Sequence, residues 1–234
     1  MTDYPPAPPV PTPDTLVDIA YQNLRKDITV EYLPAGKKIN LSHLCTRYGI
    51  SPTPLKQALN RLIAEGLVEN IPRKGCRVRK FSWTDASELF EMRLMMETHF
   101  APQVTNAVRI NSKLQSMFEA NLKENLELAQ NFQTAEEYFR TYALDQKFHE
   151  LFILSSGNRT ALRVYSGLYS HSYAAYLYGK QPRAQTISGI LEHQEIYRTM
   201  LDGDAQKVCV LLQSHIENAR KKILLFLKLQ QNAK

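Results

Sequence analysis

Cysteine is scarce: Cys45, Cys76 and Cys209 are the only three in 234 residues, odd in number and scattered. Such usage excludes a disulfide framework and a Cys-rich zinc site, and it fits a reducing cytoplasm. Long hydrophobic runs are missing as well. Wholly apolar stretches such as Ile223 to Leu227 have five residues, far short of the roughly 20 that span a bilayer. The first residues show no charged start followed by an apolar stretch, so neither a signal peptide nor a membrane partner is expected. What remains is an apolar fraction of 44%, enough for a packed core, in a length that holds one large or two small domains.

Charge of one sign is unevenly placed. Residues 15–80 carry twelve Lys and Arg against five Asp and Glu, whereas residues 81–234 carry 17 against 16. The excess falls on a segment with its own pattern. From Ile39 to Val68 a short amphipathic stretch (Leu41, Leu44, Cys45) meets Gly49. A second stretch follows, with Leu55, Leu59 and Leu62 as its stripe and Ala58 beside it. Ser51 is placed to cap the second helix, and Pro52 suits its first turn. Two helices joined by a Gly-containing turn make a helix-turn-helix, whose second helix presents its N-terminal residues to a DNA major groove. A helix-Gly-helix step also occurs in other helical domains. Here a hairpin follows: Leu67, Val68 and Ile71 read as a strand, Pro72-Arg73-Lys74-Gly75 as a turn and Cys76 to Lys80 as a return strand, which has the form of a wing. The basic excess on this module supports phosphate contact.

The boundaries follow. Residues 1–13 contain six of the twelve prolines and are expected to form a disordered tail. Residues 14–80 form a winged helix-turn-helix head, entered by a helix that Asp14 or Thr15 caps. Residues 81–234 form an all-α body, which begins where Ser82 with Asp85, or Thr84 with Ser87 and Glu88, starts a helix. Its helical segments are expected over about 84–108, 112–131, 134–154, 159–178, 184–201 and from the Asp202-Gly203-Asp204 turn to about Leu229. The fold class is therefore mainly α: a winged head plus an antiparallel bundle of six or seven helices.

A second constellation lies in the body. Asp145 and His149 are four apart on one helix and face the same way. His193 and His215 stand at similar heights above the Asp202-Gly203-Asp204 turn and can meet if their helices are antiparallel neighbours. Three imidazoles and a carboxylate suit a divalent ion such as Zn²⁺. The same spacings also occur in surface pairs and satisfied core groups, and His171 competes for one place.

These residues together resemble the GntR superfamily of bacterial transcription regulators, in its FadR-type subgroup with an all-helical FCD ligand domain. The resemblance runs from about Leu16 to about Leu227. It rests on Leu33-Pro34-Ala35-Gly36, Gly49 to Leu59, Glu65-Gly66-Leu67-Val68 and Pro72 to Gly75 in the head. In the body it rests on Glu91-Met92-Arg93 with Glu97, Asp145 with Phe148-His149, Ser156-Gly157-Asn158, His193, and Gly203-Asp204 followed by His215. It implies a homodimer on a double-stranded DNA operator, with a small carboxylate effector in the body. It implies a divalent metal (Zn, or Ni or Mn) on Asp145, His149, His193 and His215, and effector contacts from Arg93 and Asn158. The DNA contacts it implies fall on Arg47, Ser51, Thr53, Lys56, Gln57, Arg61, Arg73, Lys74 and Gly75. The chain departs from the family pattern where Pro52 and Lys56 stand in place of the usual arginines. An operator unlike the family's usual one, or more weight on phosphates, is expected. Two other readings remain at this point: a metal-dependent hydrolytic enzyme using a His₃Asp site, and an architectural DNA binder without an effector.

Overall fold

The computed structural model describes residues 15–168 and 181–232, with side chains to residue 228. The expected tail over residues 1–13, the end of the expected helix over 159–178, and His171 lie outside the described residues. The chain separates into two compact units, one ending at Arg79 and the other starting at Lys80.

The head has three helices, α1 (Leu16–Thr29), α2 (Leu41–Tyr48) and α3 (Pro52–Ala64), and an antiparallel pair of strands, β1 (Val68–Ile71) and β2 (Gly75–Val78). Thr15 starts α1 with a capping box: its hydroxyl accepts from the Asp18 N–H while the Asp18 carboxylate accepts from the Thr15 N–H. Asn40 caps α2, and Gly49 ends it at φ +64, a left-handed conformation that costs glycine little. Ser51 sits at the N-cap of α3 but its side chain caps nothing. The reason is local: the residue three positions on is Pro54, which has no N–H to donate. Leu24, Leu55, Ala58 and Leu62 are fully buried where α1 packs on α3. The strands pair Val68 with Val78 and Ile71 with Gly75, and an isolated bridge joins Lys38 to Arg77. The return strand is thus shorter than the expected run to Lys80. Arg73 holds φ +62 at the wing tip, an uncommon conformation for a residue with a side chain.

The body is helical throughout its described residues: α4 (Trp83–Ile110), α5 (Ser112–Asn131), α6 (Ala135–Ser155), α7 (Arg159–Ser166), α8 (Arg183–Asp202) and α9 (Ala205–Asn232). Capping boxes start α4 (Ser82 with Asp85) and α6 (Thr134 with Glu137). Asn111 alone links α4 to α5, and Gly203, at φ +82, with Asp204 links α8 to α9. Helix α4 packs along α9 and also meets α6 and α8, while α5 lies on α6 and α8. Phe118, Phe148, Phe152, Ile196, Met200 and Leu212 fill the centre. This packing brings α4, α6, α8 and α9 around one point.

Candidate functional site

On α3 the core-facing positions are spent on Leu55, Ala58, Leu59 and Leu62, so Thr53, Lys56 and Gln57 project to solvent. Arg73, Lys74 and Gly75 are exposed at the wing tip. The side chains of Lys56, Gln57, Arg73 and Lys74 form no hydrogen bond or ion pair among the described residues. Arg47 and Arg61 differ. Arg47 holds both Asp27 carboxylate oxygens, at 3.0 and 3.3 Å, and its guanidinium lies 3.8 Å from the Tyr32 ring centre. Arg61 bonds Asp18 at 2.7 Å and stacks 4.1 Å from the Tyr21 ring centre. Both are tied into the head itself, although each is still partly exposed.

In the body, three imidazoles converge. His149 on α6, His193 on α8 and His215 on α9 place their Nε2 atoms 3.1 Å (149 to 193), 3.0 Å (193 to 215) and 3.3 Å (149 to 215) apart. All three rings are buried. The other nitrogen of two of them faces a carboxylate: His149 Nδ1 is 2.8 Å from Glu97 Oε2, and His215 Nδ1 is 2.7 Å from Glu192 Oε2. A neutral imidazole has one N–H. Carboxylates at Nδ1 place that proton there, so the Nε2 lone pairs of His149 and His215 both point inward. Asp145, one turn before His149, has Oδ1 3.6 Å from His193 Nε2.

Burial lowers the His149 pKa to about 4 and lowers that of His193 well below the usual range. Burial by itself would raise Glu97, yet His149 and Arg93 outweigh it and hold that carboxyl at about 2. His149 and His193 are therefore neutral rings, and Glu97 beside them is an ionised carboxylate, the protonation states that metal ligands and their partners need. The donor set fits a divalent ion. Nitrogens bound at about 2.0–2.1 Å with tetrahedral or right-angle spacing lie roughly 2.9–3.4 Å apart, which matches the observed edges. Carboxylates behind two of the rings are the usual orienting partners of such ligands.

Arg93 sits at the same point. Its Nη2 donates to His149 Nε2 at 2.8 Å and its Nε to Glu97 Oε1 at 3.2 Å; Tyr165 also donates to Glu97, at 2.6 Å. Arg93 is 1% exposed and Glu97 0%, so this cation and anion neutralise each other in the interior. A cavity of about 70 Å³ adjoins the cluster, bounded by Arg93, Asp145, Glu192 and His215 on one side and by residues of α5, α6 and α8 on the other.

Comparison with known proteins decides what this pairing is. Residues 16–78 match the family model "Bacterial regulatory proteins, gntR family", and residues 88–218 match the FCD domain. The chain belongs to the gntR family of regulators that carry an FCD domain. Among its relatives is the uncharacterized HTH-type transcriptional regulator BphR of Paraburkholderia xenovorans, 26% identical over 91% of this chain and 88% of that one. Another is the transcriptional repressor GlaR of Escherichia coli, 25% identical over 84% and 90%. The fold is shared with E. coli McbR/YncC (TM-score 0.65, 14% identity, 90% of this chain and 97% of that one). It is shared also with the metal-free FCD domain of TM0439 (TM-score 0.51, 19% identity, 64% and 98%). The protein is a DNA-binding transcription regulator and not an enzyme.

Within this FCD domain the structure brings together Asp145, His149, His193, His215 and Arg93. It does not bring Asn158 to them. Asn158 caps α7 by accepting from the Ala161 N–H at 2.9 Å and does not border the cavity, because a helix starts there and needs its cap. Sequence reading missed Tyr165, Glu192 and Asn125. Tyr165 comes from a helix far along the chain, and Glu192 is the neighbour of His193 but turns to His215 on the next helix; neither carries a spacing signal. Asn125 did carry one: with Asn121 it stands on the stripe of Phe118, Leu122 and Ala129, a polar group where α5 should be apolar.

Proposed function

We propose that this regulator binds a divalent ion, zinc by donor chemistry with nickel and manganese as alternatives, on His149, His193 and His215. Asp145 is the carboxylate placed to join them. FCD domains bind metal in some members. The observation that carries the reading is the convergence of three buried Nε2 atoms, two of which have their protons directed outward by carboxylates. Three ring nitrogens so placed have the spacing that one divalent ion requires.

An ion held by these residues would supply a Lewis-acidic charge beside the cavity that Arg93 also borders. A small carboxylate effector fits: the Arg93 guanidinium, which matches carboxylates in shape, would receive it, and a bound ion would add attraction. Thr53, Lys56 and Gln57, with Arg73 and Lys74, are the DNA contacts we assign to the head, and Arg47 and Arg61 add phosphate contacts at the rim. Ser51, at the start of α3, and Gly75, in the wing turn, complete that face. The domains run over residues 14–80 and 81–234, and the protein works as a cytoplasmic homodimer on a near-palindromic operator. The effector acts by binding the operator-competent and incompetent states unequally; operator affinity changes by that difference.

Elemental analysis of protein purified without chelator tests the metal, with about one ion per chain expected and loss in His193→Ala. A protein that stays free of metal in zinc, nickel and manganese would refute it. Fluorescence polarisation with the upstream DNA of the protein's own gene, with and without acids, tests the rest.

A further inference from the structure

Helix α3 turns two amides outward. With Thr53, Gln57 and Asn60 make the exposed face opposite Leu55, Ala58, Leu59 and Leu62. Neither amide forms a hydrogen bond or ion pair among the described residues. The arginines nearest that face are engaged: Arg61 bonds Asp18 at 2.7 Å and lies over the Tyr21 ring, and Arg47 holds both oxygens of Asp27. In the first two turns of α3, Pro52 to Leu59, the other polar side chains are simpler than an amide. Lys56 only donates, and Thr53 has one oxygen for both roles. Gln57 is thus the side chain there that sets a donor and an acceptor on separate atoms, side by side.

Major-groove chemistry gives that pair one match. Adenine presents an acceptor, N7, beside a donor, the N6 amino group. Guanine presents two acceptors, cytosine a donor, and thymine an acceptor beside a methyl group. A carboxamide therefore satisfies both of its groups on a single base only where that base is adenine. Resting on the assignment of α3 to the groove, we infer that Gln57 is a specificity-determining residue and that each operator half-site sets an adenine against it, read through N6 and N7. Base edges are met by the N-terminal residues of a recognition helix, where Gln57 stands. Phosphates are served better by the cations around it, Lys56, Arg73 and Lys74, than by a neutral amide. Asn60 lies about 4.5 Å further along the axis on a shorter side chain, and is not part of this readout.

Selection of sites from a pool of random double-stranded DNA by the full-length protein, followed by polarisation titrations of single-position changes, tests this. The wild type selects an adenine at one position of each half-site, and replacing that pair by any other weakens binding about fivefold or more. 7-Deazaadenine at that position keeps the base pair but lacks the N7 acceptor, and costs the wild type about threefold or more. In Gln57→Ala both losses shrink below about twofold, whereas in Asn60→Ala both persist. No preferred adenine, a preference that Gln57→Ala keeps or Asn60→Ala abolishes, or 7-deazaadenine that costs the wild type nothing each overturns the role of Gln57 and leaves α3 in the groove. The 7-deazaadenine comparison needs no variant, so a poorly folding Gln57→Ala does not weaken it. A wild-type protein that enriches no sequence from the pool overturns both this inference and the assignment of α3 to DNA.

Discussion

The head and the body use charge in opposite directions. In the head Lys56, Arg73 and Lys74 point into solvent, and the buried Asp27 is met by the half-exposed Arg47. In the body Arg93, Glu97 and three histidines lie inside, on helices that are otherwise apolar at those faces. An outward charge costs little and waits for a partner larger than the head, a phosphate backbone. An inward charge is expensive unless fully matched, so it marks a place where the fold encloses something small. One chain thereby divides into a part that grips and a part that senses.

The contrast can be broken from either side, and the largest effect is expected in the body. Arg93→Met leaves Glu97 ionised and short of its cation, so unfolding by urea should show a loss of about 3–5 kcal/mol; a loss under about 1 kcal/mol would mean that the pair is not buried as described. Lys56→Met, a head counterpart, should leave stability within about 0.5 kcal/mol. Acid should act on the body next. In chelator-treated protein the folded His149 has its pKa lowered to about 4 and the unfolded one lies at 6.5. Between those values the unfolded chain takes up a proton that the folded one refuses. Stability is therefore intact above about pH 6.5 and declines toward pH 4, by on the order of 3 kcal/mol from this residue. A flat stability over that range in a denaturation series contradicts the neutral, buried ring.

Metal should reverse part of that. Zinc at a hundredfold excess over its dissociation constant stabilises by about 2.7 kcal/mol through mass action, read as a rise in melting temperature that His193→Ala abolishes; equal rises in both proteins would place the ion elsewhere. On the head, Lys56→Ala should weaken operator binding by about 1–3 kcal/mol and flatten the salt dependence by about one ion, and unchanged binding would remove α3 from the groove. The smallest effects separate two caps. Thr15→Ala, which breaks a capping box, should cost about 1 kcal/mol. Ser51→Ala should cost less than about 0.5 kcal/mol because that hydroxyl caps nothing.

Much of this was legible before any coordinates. Leucine periodicity placed α3, and Gly49 and Gly203 marked turns that need a left-handed residue. Four-residue spacing paired Asp145 with His149, and symmetry about the Gly203 turn foretold that His193 meets His215. Local rules failed where a neighbour overrode them: Ser51 looked like a cap, but Pro54 withheld the donor. They failed also where partners come from far along the chain. Tyr165 reaches Glu97 across 68 positions, and no periodicity encodes that contact. Asn158 shows the converse, a residue carried over by resemblance that this chain spends on starting α7.

The division between gripping and sensing is tested most directly by operator polarisation with the zinc-loaded protein while a panel of short organic acids is titrated in, one at a time. The account predicts an operator dissociation constant that moves at least fivefold with at least one acid, and no movement in His149→Ala, which still binds DNA. An operator affinity that stays constant across the whole panel of acids would contradict it.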